Sequence, residues 1–322
     1  MKSKIESIAG DASFRNFYRF FSNNKTKIIV FAKKEKYKNL IAYTAINKFL
    51  RKKNILTPKL FSYDYKKGII VIEDFGNISF YNILHGKENK FPTYKALVDL
   101  LLKIQKIKPQ SKVKNILGHY HSLNKYSNKY LHRESDLFFD WYLPLFLNKR
   151  KVLNIKKETK KILTKLYNKL HFPNKYFVHR DYHSQNLMKI SKKIGVIDSQ
   201  DALIGNPAYD LVSLIDDVRI KTSEKLKKKI YSYYLKKTLK IHRLNKQKFL
   251  QDFNIISVQR SLKIIGIFSR LFKRDRKNVY LKYIPYTWQL LETRMNDEIF
   301  SQLKNILKKN IKKKFRKKVI IK

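Results

Sequence analysis

The sequence predicts an α+β chain in which a small antiparallel-sheet lobe precedes a large, mainly helical one. Three observations lead there. Up to residue 76, short β patterns and turn residues alternate around a single helical stretch. Beyond it, long segments carry helical spacing. One β pattern, at 176–198, interrupts them. The 322 residues suffice for two lobes, and 43% hydrophobic content with 21 Tyr and 21 Phe argues for a substantial core and against disorder.

Residues 14–33 read as a hairpin, Phe14–Phe21 and Lys27–Lys33 around Ser22-Asn23-Asn24-Lys25. The preceding loop, Gly10-Asp11-Ala12-Ser13, opens into a strand, as a segment covering phosphates with backbone N–H groups would. A helix is expected over 36–53, then strands Lys59–Tyr63 and Ile69–Glu73 around the turn Lys66-Lys67-Gly68. Glu73-Asp74-Phe75-Gly76-Asn77 reads as a hinge. Past it, Thr93 after Pro92 is expected to cap a helix reaching Ile107. Further helices are expected at 133–147, 156–171, 223–240, 246–272 and 286–309. The stretch Lys308–Lys322 holds nine basic residues, with Leu307, Ile311, Phe315 and Val319 four apart. Such a tail either packs its apolar edge on the domain or associates weakly with an anionic surface.

Composition excludes several functions. There is no cysteine, hence no disulfide, thiolate metal site or cysteine nucleophile. The start, Met1-Lys2-Ser3-Lys4-Ile5-Glu6, lacks an apolar run, and no uncharged stretch approaches a membrane span, so a cytoplasmic protein without a transmembrane segment is expected. The net charge of +49 invites a nucleic-acid reading. Yet the 73 basic residues comprise 59 Lys and only 14 Arg, beside abundant Ile and Asn. That is the drift of an AT-rich coding sequence rather than a set of Arg recognition forks, and no specific nucleic-acid partner is expected.

The chemistry concentrates between Phe177 and Asp198. The pattern His-x-Asp-x-x-x-x-Asn, His179 to Asn186, should arise by chance about 0.03 times in a chain of this composition. A second carboxylate, Asp198, returns after an apolar hairpin pattern. If Ile190 opposes Ile194 across a three-residue turn, Asn186 and Asp198 face each other directly, with Cα atoms about 4.5–5.5 Å apart. An amide oxygen and a carboxylate so placed suit magnesium, which takes few protein oxygens. Asp181 then serves as the base for an alcohol receiving phosphate. His179 is expected to brace the loop, Arg180 and His183 to be surface or loop-packing residues, and Asp210 to accept loop N–H groups. The glycines build no P-loop or GxGxxG, and HExxH and GxSxG are absent.

His179-Arg180-Asp181 with Asn186, followed by Ile197-Asp198, resembles the aminoglycoside phosphotransferase/choline kinase family, which shares the protein-kinase-like two-lobe fold. Other stretches resemble its branch of anomeric N-acetylmuramate/N-acetylglucosamine kinases: Gly10–Arg15, Arg133-Glu134 with Trp141-Tyr142-Leu143, Asp198–Ala202 with Tyr209-Asp210, and Gln259–Lys263 with Gly266–Leu271. The resemblance implies transfer of the γ-phosphate of ATP, with Mg2+, to a hydroxyl of a small-molecule sugar. It implies a nucleotide-covering lobe at 1–76, a catalytic and acceptor-binding lobe at 77–307 and a basic tail at 308–322. Lys33 or Lys34 would hold the nucleotide phosphates, with Ser13, Glu73, Asn186 and Asp198 as further nucleotide contacts. Trp141 and Tyr142 would stack on a sugar while Glu134, Asp140, Asp201 and Arg260 bond its hydroxyls, although aromatics so spaced also suit a core. The chain departs from that branch in having Phe31-Ala32-Lys33-Lys34 after the third strand and Ser199 after Asp198. A kinase of choline, an aminoglycoside or homoserine stays open, as does a non-catalytic basic binding module.

Overall fold

The computed structural model describes residues 4–8, 15–22, 25–33, 37–86, 88–118, 120–242 and 245–317. They form two compact units, Met1–Asn124 with Tyr176–Ile204, and Lys125–Lys175 with Gly205–Lys322.

The first unit is built on a sheet of five antiparallel strands, β1 (Lys4–Ile8), β2 (Asn16–Ser22), β3 (Lys25–Phe31), β4 (Leu60–Asp64) and β5 (Ile69–Glu73), in the order β1-β2-β3-β5-β4. The two central strands alternate. Ile28 and Val30 of β3 stand opposite Ile72 and Ile70 of β5, and the four side chains bury one face of the sheet against Leu40 and Tyr43 of helix α1 (Tyr37–Lys52). Strand β1 was not expected. Its sequence, Lys-Ile-Glu-Ser-Ile, carries little apolar content because it lies on the sheet edge with Lys4 and Glu6 exposed, a charged edge that discourages further pairing.

After β5 come α2 (Phe80–His85), capped by the Ser79 side chain, and α3 (Phe91–Gln105). The α3 start corrects the expected Thr93 cap. Pro92 sits in the first turn, where its missing N–H costs nothing, and Thr93 is a buried helical residue. A small hairpin of β6 (Lys112–Lys114) and β7 (Tyr120–Ser122), also unanticipated, completes this part. The chain returns to the unit through β8 (Tyr176–Val178), β9 (Leu187–Ile190), β10 (Lys193–Val196) and β11 (Leu203–Gly205), with β8 beside β11 and β9 beside β10. The β9–β10 hairpin is tied in by Lys189 N–H to Ile78 O and Val196 N–H to Leu56 O, both 2.8 Å. The Phe75 ring lies over Gly195, where any Cβ would meet the ring at 2.6 Å and have to displace it.

The second unit is helical: α4 (Asn128–Leu137), α5 (Lys149–Tyr167), α6 (Ala208–Ile215), α7 (Glu224–His242), α8 (Lys246–Asp275), α9 (Ile284–Arg294), α10 (Ser301–Asn310) and α11 (Lys313–Lys317). The expected helix 133–147 is a composite of the end of α4, a π turn over Phe138–Tyr142 and a 3-10 turn over Leu143–Leu145. Gly266 of α8 lets that helix approach the backbone of Leu137 and Phe138 closer than any Cβ would permit. The expected helix 286–309 is two helices. Asp297 breaks it by accepting the Ile299 N–H at 3.1 Å, the cap that a short carboxylate forms in preference to helix interior. The basic tail packs its apolar edge within the unit. Ile311 is buried, and Phe315 stacks on Phe146 with ring centroids 4.2 Å apart. Val319 lies outside the described residues. No described helix is long and apolar enough to cross a membrane.

Candidate active site

The catalytic-type loop runs from β8 to β11 within the first unit. Outside the β9–β10 turn, its backbone holds two left-handed residues, Arg180 (φ 77°) and Asp198 (φ 64°). Both are costly for a residue with a Cβ, though an Asp tolerates the region better than most. His179 is fully buried and its Nε2 lies 3.0 Å from Ile197 O, which cross-braces the loop. Tyr182 is also buried, donating its hydroxyl to Leu97 O at 2.8 Å. Asp181 lies between them, partly open to solvent, with its backbone oxygen accepting from His183 N–H and from Asn186 Nδ2, both at 3.0 Å.

The register of β9 and β10 corrects the expected one. Ile190 pairs with Lys193 and Leu187 with Val196, across a two-residue turn in which Ser191 takes φ 51°. The residue facing Asn186 is therefore Ile197, whose N–H donates to Asn186 O at 3.0 Å. A slip of one residue sends an extended side chain to the opposite face. Here Asp198 leaves the extended conformation at that point, so strand alternation no longer governs its direction.

Asp198 Oδ1 accepts from Arg15 Nη2 and from Gln200 Nε2, the latter at 3.1 Å, while Arg15 Nη1 donates to Gln200 Oε1 at 3.2 Å. The second carboxylate oxygen accepts no hydrogen bond among the described residues, and the side chain is 33% exposed. The amide oxygen of Asn186 is likewise uncommitted there, since its Nδ2 makes the side-chain contacts. Two hard oxygens are thus available on anchored side chains. No group of three or more His, Cys, Asp or Glu among the described residues forms a metal cage. That donor set fits magnesium, which keeps waters and substrate phosphates as its other ligands.

The remaining expected residues fall in several places. Ser13 and Lys34 lie outside the described residues, and Lys33 follows β3 exposed to solvent. Glu73 ends β5, where its carboxylate accepts Lys59 N–H at 3.0 Å and faces Arg51 at 3.5 Å. Asp201 is exposed beside Arg180, 3.6 Å away. Ser199 is buried, donating to Asn47 Oδ1 of α1 at 2.6 Å. In the second unit, Asp140 is exposed and pairs with Lys156 at 2.7 Å beside a half-buried Trp141. Tyr142, expected to stack on a sugar, is instead a core residue. Its hydroxyl donates to Phe315 O and accepts from Trp288 Nε1, and burial pushes it well above the usual tyrosine range. Glu134, expected to bond a sugar hydroxyl, is buried with its carboxylate engaged by Lys263 at 3.0 Å, Gln259 at 3.0 Å, Tyr209 at 3.3 Å and Tyr126. Arg260 is buried with its guanidinium 5.0 Å above the Tyr209 ring. A cavity of about 940 Å³ in this unit, lined by Tyr286, Trp288, Glu292, Lys308 and Arg316 among others, contains none of the expected site residues.

A five-stranded antiparallel sheet followed by a catalytic-type loop and a helical unit is the fold of small-molecule phosphotransferases related to protein kinases. Solved structures agree. An ADP-bound aminoglycoside phosphotransferase, APH(2'')-Ib, aligns over 90% of this chain and 92% of its own with a TM-score of 0.59 at 14% identity. A choline kinase of Streptococcus pneumoniae aligns over 96% and 92% with a TM-score of 0.56 at 13% identity. The model of the phosphotransferase enzyme family matches residues 4–243, and the chain belongs to that family. It is 29% identical over 292 residues to the N-acetylmuramate/N-acetylglucosamine kinase of Pseudomonas aeruginosa, covering 88% of this chain and 82% of that protein.

Proposed function

We propose that the protein is an ATP- and magnesium-dependent kinase that phosphorylates the anomeric hydroxyl of N-acetylmuramate or N-acetylglucosamine, a cytoplasmic step of cell-wall recycling. The observation that carries this reading is the similarity, over 88% of the chain, to an enzyme named for those two sugars. Asp181, at the open side of a loop fixed by His179 and Tyr182, orients the acceptor hydroxyl and takes its proton as the bond to phosphorus forms. Asn186 and Asp198 are the residues that would hold magnesium, which when bound supplies positive charge to the β- and γ-phosphates. The braced loop limits the freedom of Asp181 before substrate arrives, and such positioning is where most of the rate enhancement in phosphoryl transfer originates. On this reading residues 1–76 cover the nucleotide, 77–307 supply catalysis and the acceptor site, and 308–322 form a basic tail.

A phosphotransfer screen with labelled ATP tests the assignment. Transfer to N-acetylmuramate and N-acetylglucosamine is expected, with choline, an aminoglycoside and homoserine as competing acceptors. Transfer to one of those three alone would refute the sugar assignment and leave the phosphotransferase standing. Asp181→Asn should lower turnover by about 10²–10⁴-fold while ADP binding measured by calorimetry is retained. Undiminished turnover would remove Asp181 from the role of base.

A further inference from the structure

The cavity of about 940 Å³ in the helical unit holds none of the residues assigned to phosphoryl transfer, and its lining is unusual even for this chain. Seven of the sixteen lining residues are basic, about twice the proportion in the chain as a whole, 73 of 322. Compositional drift alone does not give that excess. Two pairs stand one helical turn apart, Lys304 with Lys308 on α10 and Lys313 with Lys317 on α11, and Lys221 joins them from the segment between α6 and α7. Like charges at that spacing repel. Among the described lining residues the single carboxylate is Glu292, and Arg316 already engages it at 2.8 Å.

The walls that carry these lysines are tied down. Arg316 donates to the carbonyls of Leu307 at 3.0 Å and Ile311 at 2.7 Å, and its guanidinium lies 5.4 Å from the Trp288 ring centroid. Phe315 next to it stacks on Phe146, and its carbonyl accepts the Tyr142 hydroxyl at 2.8 Å. Beside Lys221, the Thr222 N–H donates to the Tyr286 hydroxyl at 3.2 Å. The same ties remove a feature that would oppose an anion, because Arg316 covers the last carbonyls of α10, the negative end of that helix. We propose that this cavity is a binding site for a small anion bearing two or more phosphate groups. A concave surface lined by one sign of charge focuses potential and concentrates counter-ions. Its volume falls in the range of small-molecule pockets, more than a single phosphate needs. Lysine binds phosphate as a compact point charge, whereas the one arginine fork, suited to carboxylates, is spent on the protein itself. Six lysines without a carboxylate to answer them in the lining call for several negative charges.

Inorganic tripolyphosphate is the probe. Calorimetry on the full chain, in EDTA with saturating ADP to fill the nucleotide site, should show it binding at about 0.15 M salt, where distant surface charges are screened. Thermal unfolding should move upward with its concentration, as binding to the folded state requires. The variant Lys304→Gln/Lys308→Gln/Lys313→Gln/Lys317→Gln should bind about 10-fold or more weakly, the combined effect of four individually modest charge contacts. A control takes the same charge from the exposed face of α5, Lys151→Gln/Lys157→Gln/Lys161→Gln/Lys165→Gln, and should bind as wild type does. Equal weakening in the two variants would mean that the net charge of +49 attracts the anion, and would overturn the proposal. So would a wild-type chain that does not bind tripolyphosphate. Displacement of the bound probe by N-acetylmuramate would make the cavity an acceptor site instead. Capture of phosphatidylserine vesicles that the cavity variant loses and tripolyphosphate does not compete away would assign the lysines to a membrane surface, again against the proposal.

Discussion

Lys263→Met is the perturbation whose cost the structure defines most closely. Glu134 and Lys263 are buried to within 5% and 7% side-chain exposure and lie 3.0 Å apart. Removing one partner of such a pair strands a charge away from water, at a cost of about 3–5 kcal/mol. Three neutral donors remain on the carboxylate, from Gln259, Tyr209 and Tyr126, which places the expected loss near the lower bound, about 3 kcal/mol. For a unit of this size each kcal/mol moves the melting temperature by about 2–4 °C, so the shift should be roughly 6–12 °C. Glu134→Gln combined with Lys263→Met removes both charges, and the double variant should be more stable than the sum of the single losses by about 1–3 kcal/mol. Urea unfolding followed by tryptophan fluorescence reads this directly, because the chain has only two tryptophans, Trp141 and Trp288, and both lie in the helical unit. Strict additivity, or a Lys263→Met cost below about 1 kcal/mol, would refute the ion-pair account. A Glu134→Gln variant of native stability whose KM for sugar rises would show instead that the carboxylate serves the acceptor.

Asp216 should govern acid stability. Burial alone raises its carboxyl, but Arg294 at 2.8 Å, Lys227 at 3.5 Å and the Ser257 hydroxyl outweigh burial and hold it below the usual carboxylate range. A depressed folded value contributes stability that is complete above the unfolded carboxyl value of about 4 and is lost as pH falls through the folded one. Asp216→Asn should thus cost on the order of 3 kcal/mol at neutral pH and flatten the decline below pH ~4 in urea titrations, and an unaltered acid slope would contradict the pairing. Gly266→Val should destabilise by about 1–3 kcal/mol or more through overpacking against the backbone of Leu137 and Phe138, as read by thermal unfolding; a neutral result would mean that α8 and the π turn separate freely.

Strands β3 and β5 were legible as apolar runs bounded by turn residues, and the long helices by their helical spacing, because both are local patterns. Which face of each strand is buried, and whether the tail packs, was decided only by the fold. The site loop was legible as a set of residue types, and its register was not. Ser191-Lys192 closes a two-residue turn that normally asks for glycine, so the sequence pointed to a longer turn and shifted Asn186 by one place. The ties that anchor the metal-type carboxylate were invisible for another reason. Arg15 and Asp198 are 183 residues apart, and no local pattern reports such a contact. Glu134 and Tyr142 were read as sugar contacts because a polar or aromatic residue looks the same in sequence whether it faces ligand or core. Their buried partners, Lys263 and Gln259 for one and Trp288 for the other, come from distant stretches that no local pattern reports.

The left-handed backbone at Asp198 bears on how substitutions at this position are interpreted. Asparagine keeps the shape and tolerates φ 64°, so it subtracts charge and little else. Alanine adds backbone strain to the loss of the carboxylate, and valine or isoleucine adds much more, so a deficit in those variants mixes folding with chemistry. Glycine has the opposite fault, relieving strain while loosening the hairpin end. In a saturation library sorted separately for abundance and for turnover, position 198 should therefore split into two tiers: asparagine and glycine abundant but inactive, β-branched residues depleted in both sorts. A position whose ligand role is masked by a special dihedral becomes readable only when both axes are scored.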